Sequence, residues 1–128
     1  MPEETTVPDQ IEFRRDEDFE SLYANNVTFE MSVWDLKLIF GQLDQHGGKI
    51  AVEQHTSIAV PWVQAKLMSY FLQVNLAVYE ADYGRIRIPA NVVPPELPPL
   101  PPELENNPQA KAVRESVLQL REKFFSDM

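Results

Sequence analysis

The stretch PWVQAKLMSYFLQVNLAVYEADYG, from Pro61 to Gly84, decides the fold because it reads as one long helix with two apolar faces. Pro61 suits the first helical turn, where its missing N–H costs nothing, and Gly84 suits a helix C-terminal cap. At about 100° per residue, one apolar face holds Val63, Leu67, Tyr70, Phe71, Val74, Ala77, Val78 and Ala81. The opposite face holds Ala65, Met68, Leu72, Leu76 and Tyr79.

The second apolar face has a direct consequence for assembly. A helix with one apolar face packs on a single sheet, whereas a helix with two needs a second covering surface. A small sheet covers only one face, so either the C-terminal segment or a second chain must cover the other. We expect a homo-oligomer, a dimer in the first instance. The expected interface consists of Ala65, Met68, Leu72, Leu76 and Tyr79.

The segment before the helix predicts an antiparallel sheet, because apolar and polar residues alternate along it with a period of two. A tight turn near Trp34 separates the first two strands, and Asp44 to Gly48 supplies the second turn. A short further strand is expected at Arg85–Ile88. The expected fold is α+β, a meander of three to four strands packed on one long α-helix. The expected inward residues are Val27, Phe29, Met31, Val33, Leu36, Leu38, Phe40, Val52, Thr56, Ile58 and Val60.

Charge is concentrated at the N-terminus. Residues 1–20 hold eight acids against Arg14 and Arg15, and few apolar residues, which predicts a disordered acidic tail. The core domain is expected at residues 21–89 and is nearly neutral, with six acids and five bases between residues 21 and 90. It therefore offers no long-range field that would steer a polyanion, and nucleic acid is a disfavoured partner.

The chain contains no cysteine, which excludes disulfides, thiolate metal sites and cysteine nucleophiles. The N-terminus has neither a basic nor an apolar signal region, and the most apolar stretch carries Pro61, Lys66 and Asn75. We therefore expect a cytoplasmic protein with no membrane span.

The C-terminal third predicts a linker followed by a helix. Residues 90–108 are rich in proline and contain no glycine, so they should form an extended polyproline II spacer. At about 3 Å per residue, residues 94–102 would span roughly 25 Å, enough to reach a neighbouring subunit. A ligand for a proline-binding groove is the alternative interpretation of the same run.

The last predicted helix, at residues 109–126, carries a seam of apolar residues at alternating spacings of three and four. Pairing with its own copy, folding back on the central helix and docking on a foreign subunit are all open. We expect it to bind an unidentified partner protein. The seam consists of Ala110, Val113, Val117, Leu120 and Phe124.

Several short motifs occur between residues 20 and 82. They are Tyr23-Ala24-Asn25, Phe40-Gly41, Ser57–Pro61, Ala65–Leu67, Asn75 and Tyr79-Glu80. Together these motifs resemble a bacterial family, the domain of unknown function 3467. The resemblance implies a unit of three strands and a helix, and it brings no catalytic residues. The proline-rich spacer and the terminal helix are departures from the family.

Two candidate sites of other kinds are weak. Glu53, His55 and Ser57 alternate along one predicted strand and would share a face, but same-face neighbours lie about 7 Å apart, too far for activation of a nucleophile. His46 and His55, the only histidines, lack the spacing of a metal motif. We expect no catalytic residue, no metal and no cofactor.

These observations favour a non-enzymatic, oligomeric protein–protein interaction module that serves as an accessory or assembly subunit. The alternative is a single-stranded nucleic-acid binder with a sheet-plus-helix fold. Such a binder would need aromatic platforms and basic residues on its open sheet face. That face is expected to carry Thr28, Glu30, Ser32, Lys37, Ile39, Glu53, His55 and Ser57, with a single lysine and no Phe, Tyr or Trp.

Overall fold

Three strands and two α-helices follow one another along the chain in a computed structural model that describes residues 10–127, apart from the side chain of His46. The acidic tail predicted for residues 1–20 lies partly outside the described residues, and residues 10–20 form neither helix nor strand. The predicted α+β fold is confirmed, with three strands in its sheet. The elements are β1 (Asn26–Met31), β2 (Asp35–His46), β3 (Lys49–Pro61), α1 (Trp62–Tyr83) and α2 (Pro108–Ser126).

The sheet is an antiparallel meander in the order β1-β2-β3. Phe29 lies opposite Leu38, and Leu38 lies opposite Ile58, so the three side chains form one apolar row across the sheet. Leu38 sits in the middle strand and is only 6% exposed, the one apolar side chain that is buried among the described residues. The sheet's apolar face is therefore centred on Leu38.

A β-bulge interrupts the pairing of β2 with β3 beside Gly41. Phe40 pairs with Thr56, but Gly41 pairs with Gln54, so His55 is the extra residue. Gly41 is buried because β3 approaches it closely. An added Cβ at Gly41 would lie 2.8 Å from the carbonyl oxygen of Glu53, closer than real Cβ atoms approach other atoms.

Beyond the bulge, towards the β2–β3 turn, the side chains of β3 lie on the opposite face from the one that strict alternation predicts. Val52 pairs with Leu43, which lies two residues beyond Gly41 on the same face of β2 as Ile39. Ile58 pairs with Leu38 on the other face. The prediction that Val52 points to the same side as Ile58 was wrong, because strict alternation along β3 fails at the extra residue.

Both hairpin turns have clear local causes. In the first, the Ser32 hydroxyl accepts hydrogen bonds from the backbone N–H groups of Trp34 and Asp35, at 3.1 and 3.0 Å. In the second, Gly47 and Gly48 adopt φ values of 57° and 80°, as a tight two-residue hairpin turn requires. The second turn is shorter than predicted, since β2 continues to His46.

The long helix confirms the prediction for Pro61 to Gly84, with its first residue at Trp62. The Trp62 indole N–H donates to the carbonyl of Ser32 at 3.0 Å and fixes the start of α1 beside the β1–β2 turn. Gly84 ends the helix at φ 95°, and its N–H donates to the Glu80 carbonyl at 2.9 Å.

The strand predicted at Arg85–Ile88 was wrong, since residues 84–89 form no strand. The Ile86 N–H donates to the Glu80 carboxylate at 2.8 Å, which leaves it unavailable for strand pairing.

Two compact units divide the chain between Lys66 and Leu67. In the second unit, Asn107 caps α2 by accepting a hydrogen bond from the Ala110 N–H at 3.0 Å, and Pro108 occupies the first helical position. Short 3-10 turns at Ala90–Val92 and Pro102–Leu104 flank an extended proline-rich run. The predicted spacer is thus extended between residues 93 and 101, and its backbone dihedrals at Val93 and Pro101 are those of polyproline II.

The close approach at Gly41 generates a stability prediction. Gly41→Ala should lower the free energy of unfolding by about 1–3 kcal/mol, because the new methyl group overlaps the β3 backbone. Gly47→Asn is the matched control, since nothing lies near Gly47 and asparagine tolerates its left-handed φ. Denaturant unfolding followed by circular dichroism at equal protein concentration measures both. Equal stability of the Gly41→Ala variant and the wild type would contradict the bulge geometry.

Candidate interaction surfaces

A hydrogen-bonded latch joins β3 to the segment before β1, across the bulge. The His55 ring nitrogens lie 2.7 Å from the Thr56 hydroxyl (Nδ1) and 3.1 Å from the Tyr23 carbonyl (Nε2). A carbonyl can only accept, so Nε2 carries the proton and, in the neutral ring, Nδ1 accepts from Thr56. The ring therefore spans from β3 to the far side of β2.

Asn25, two residues after Tyr23, also ties the segment before β1 to β2. Its backbone N–H donates to the Gly41 carbonyl at 3.1 Å, and its side-chain oxygen accepts from the Leu43 N–H at 2.6 Å. Tyr23, Asn25 and Gly41 belong to the motifs that resemble the family. Their structural role depends on the bulge at His55, which no local sequence pattern predicts.

The bulge also changes the arrangement considered for catalysis. Glu53 pairs with Gln42 and Ser57 pairs with Ile39, and these β2 residues lie on opposite faces of the sheet. The expectation that Glu53, His55 and Ser57 share one face was therefore wrong. The His55 ring contacts Thr56 and Tyr23, so this histidine serves the latch.

The face of the sheet that carries Ile39 is mixed in character. Thr28 and Ser57 flank Ile39 in the register, and Glu30 lies opposite Lys37. Gln54 reaches across to Thr28 with a donor–acceptor distance of 3.4 Å. Lys37 beside Glu30 gives this part of the face no net positive charge, which offers little attraction for a phosphate backbone.

The two apolar faces of α1 are both accessible to solvent. No residue of α1 is buried, and Leu72 at the middle of the predicted interface is 62% exposed. Leu76 and Tyr79 are also exposed, whereas Ala65 and Met68 are half-buried. On the other face Val63, Leu67 and Phe71 are exposed as well. Neither face of this helix has a complete cover.

A shallow groove runs beside the predicted interface near the end of α1. Its lining includes the apolar residues Leu72, Leu76 and Ile86 and the polar residues Asn75 and Asp82. The groove holds about 520 Å³. The rings of Tyr79 and Tyr83 lie 4.9 Å apart along it, so its wall is largely aromatic and aliphatic.

The first unit carries further exposed apolar groups. Phe29 and Met31 on the apolar face are exposed, and Ile58 in the same row as Leu38 is 49% exposed. At the β1–β2 turn, Val33 and Trp34 extend almost fully into solvent, with Trp34 84% exposed. The Ser32 hydrogen bonds hold this turn in one conformation, so the exposed pair sits on a rigid support.

The proline-rich run folds along α2 as a strap, defined here as residues 94–101. Arg121 donates to the carbonyls of Pro94 and Pro95, and Arg114 donates to that of Pro98, each at 3.3 Å. The Arg121 guanidinium also lies 4.4 Å from the centre of the Phe125 ring. The strap and the helix therefore form one hairpin.

The strap leaves most of the predicted α2 seam open. Arg114, Leu118 and Arg121 are half-buried, which marks the side of the helix nearest the strap. Val113, Val117 and Leu120 remain exposed, with Leu120 69% exposed, while Ala110 and Phe124 are half-buried. A groove of about 530 Å³ lies between the strap residues Leu97 and Leu100 and the helix residues Val113 and Val117.

Two charged side chains near the start of the described residues form an ion pair. The Arg14 guanidinium lies 3.0 Å from the Glu12 carboxylate and lowers the pKa of Glu12 through that hydrogen bond, although both side chains are exposed. Among the described side chains, no three histidine, cysteine, aspartate or glutamate residues cluster to form a cation site. Within the same residues, no helix has the length and hydropathy required to cross a bilayer.

Comparison with known proteins gives a family match. A family model described as "Protein of unknown function (DUF3467)" matches residues 2–88. The match includes the sheet and the whole of α1, and it stops before the strap and α2. No curated protein and no solved structure matches the chain.

The strap hydrogen bonds generate a testable prediction. Arg121→Gln should accelerate hydrogen exchange of the α2 amides about fivefold, because losing bonds to two exposed carbonyls costs about 1 kcal/mol. Lys123→Gln removes the same charge about 200° further round the helix and should leave exchange unchanged. Mass spectrometry of the exchanged full chain measures both variants. If the α2 amides exchange equally slowly in both variants, the Arg121 bonds to the strap do not stabilise α2.

Proposed function

We propose that this chain, which belongs to the DUF3467 family of proteins of unknown function, acts as a non-enzymatic homodimeric interaction module. The observation that carries the proposal is the near absence of a core, since Leu38 is the one buried apolar side chain among the described residues. We place the module as an accessory subunit of a larger assembly, with α2 as its docking element.

The exposed apolar faces favour folding by association. Burial of apolar surface is the dominant favourable contribution to folding and to most protein–protein association. Covering the exposed apolar faces with a second surface is therefore an available source of stability.

A second copy of the chain is the occupant that fits best. Each copy brings the same uncovered faces of α1 and of the sheet, so a two-fold axis lets two chains bury them at once. With aromatic residues burying about 150–250 Å² each, these faces offer on the order of 800 Å² per chain, as much as each partner buries in a standard interface. The proposed α1 interface consists of Ala65, Met68, Leu72, Leu76 and Tyr79.

The α2 hairpin supports the second half of the proposal. Arg114 and Arg121 bond to the strap and hold one side of the helix, which leaves Val113, Val117 and Leu120 available on an adjacent side. This side presents apolar side chains at the helical spacing that hydrophobic grooves recognise. We assign it to a partner protein with such a groove.

The dimer has a direct test in solution. At micromolar concentration, light scattering behind size exclusion should give twice the chain mass of 14.7 kDa. Leu72→Lys should weaken the dimer at least tenfold, because it would bury an unpaired charge in the interface. Gln73→Lys places the same charge on the neighbouring polar stripe and should remain dimeric. A wild-type protein with the mass of one chain contradicts the proposal.

The docking role of α2 needs a separate variant. Val117→Asp combined with Leu120→Asp should leave the melting transition of the core unchanged and abolish binding of the partner protein. Ser116→Asp with Gln119→Asp adds the same charges at polar positions of the same turns and should retain binding. Circular dichroism melting and a quantitative pull-down measure the two properties. Loss of the melting transition in the first variant would place the seam in the folded core.

A further inference from the structure

The outer edge of β3 is the longest unpaired strand edge within the part of the chain that the structure describes. The sheet order β1-β2-β3 leaves β3 paired on one side only, and β3 has 13 residues. An open edge presents a row of backbone N–H and C=O groups that can pair with another strand. Natural proteins therefore shorten, charge or cover such edges.

The opposite side of the sheet carries these protective features. β1 has only six residues and includes Glu30. β2 continues past the first residue of β1, and there the Asn25 side-chain oxygen accepts a hydrogen bond from the Leu43 N–H at 2.6 Å. One edge of the sheet is therefore short, charged and partly occupied by a side chain.

The β3 edge lacks these features between the bulge and the helix. Thr56 to Val60 contains no charged residue and no proline, and its register with β2 is regular. The bulge at His55 bounds this run on one side, and Pro61 bounds it on the other. The segment is a regular, uncharged edge of the kind that pairs readily with a second strand.

We infer that β3 pairs antiparallel with β3 of a second copy, about a two-fold axis at Ile58, and joins two three-stranded sheets into one. The inference rests on the proposed homodimer and identifies one of its contacts. Ile58 is the midpoint of the regular run, so a two-fold axis there pairs the greatest number of residues before the bulge and Pro61 intervene.

This register extends the apolar face across both chains. Phe29, Leu38 and Ile58 form one row, and the axis places Ile58 directly beside Ile58 of the second copy. The doubled row then continues through the second Leu38, and Ile58, which is 49% exposed in the single chain, gains an apolar neighbour. On the other face, Ser57 lies opposite Ala59 of the second copy, where small side chains allow close pairing.

The same self-complementarity selects a second copy over a foreign strand. Thr56 meets Val60 of the second copy and Ser57 meets Ala59, so no position sets like charges against each other. A foreign strand would need a matching pattern of its own, whereas the two-fold axis supplies it from this chain.

The absence of cysteine in the chain allows a clean crosslinking test. Directly opposed residues in an antiparallel pair have Cβ atoms about 4.5–5.5 Å apart, close enough for a disulfide after small shifts. Ile58→Cys should therefore give covalent dimers on mild oxidation. Ser57→Cys alone and Ala59→Cys alone should form no covalent dimer, since each cysteine then lies two positions out of register with its own copy, beyond about 7 Å. When the two variants are mixed, the hybrid dimers should crosslink, because residue 57 of one chain lies opposite residue 59 of the other.

If Ile58→Cys impairs folding, the Ser57→Cys and Ala59→Cys variants on the other face still test the pairing. A protein that light scattering shows to be dimeric, but in which neither Ile58→Cys nor the mixed pair crosslinks, overturns the edge pairing and leaves the proposed dimer intact. Crosslinking of Ser57→Cys or Ala59→Cys alone overturns the stated register. A wild-type protein of single-chain mass removes the proposed function and the edge pairing together.

Discussion

The absence of a side chain at Gly41 is the constraint on which the sheet depends. At Gly41 β3 comes so close that an added Cβ would overlap the Glu53 carbonyl, and the missing side chain lets β3 carry its extra residue at His55. The histidine ring then reaches the Tyr23 carbonyl, and the Asn25 side chain occupies the Leu43 N–H. One small residue thus connects the middle strand, the bulge and the entry to β1, and it determines which residues share each face of the hairpin.

A second constraint concerns what the fold leaves uncovered. The apolar residues follow the helix and strand periods closely, yet Leu38 is the one apolar side chain that is buried among the described residues. In most monomeric domains, apolar residues with such periods form the core. Here the same residues form exposed apolar surfaces, and the proposed homodimer rests on that observation.

Much of this architecture follows from periodicity alone. Apolar residues with helical spacing predicted α1 to within a residue at each end, and alternation predicted all three strands. The bulge escaped prediction because the extra residue, His55, is neither glycine nor proline, and the glycine that permits it lies on the partner strand. The strap escaped for a different reason. Polyproline II has no apolar period to match with a helix, and the bonds that hold it join arginine side chains to backbone carbonyls, which every residue possesses.

The two tryptophans give the β1–β2 turn an optical consequence. Trp62 bonds to Ser32 through its indole N–H and is 39% exposed, whereas Trp34 lies two residues beyond Ser32 and is exposed to water. Both tryptophans therefore report on the turn at Ser32–Asp35. Trp62 is bonded to this turn, and Trp34 extends from it into solvent. Tryptophan fluorescence of this protein therefore reports on that turn. Any surface that covers Trp34 will shift the emission maximum towards shorter wavelengths, so no added label is needed.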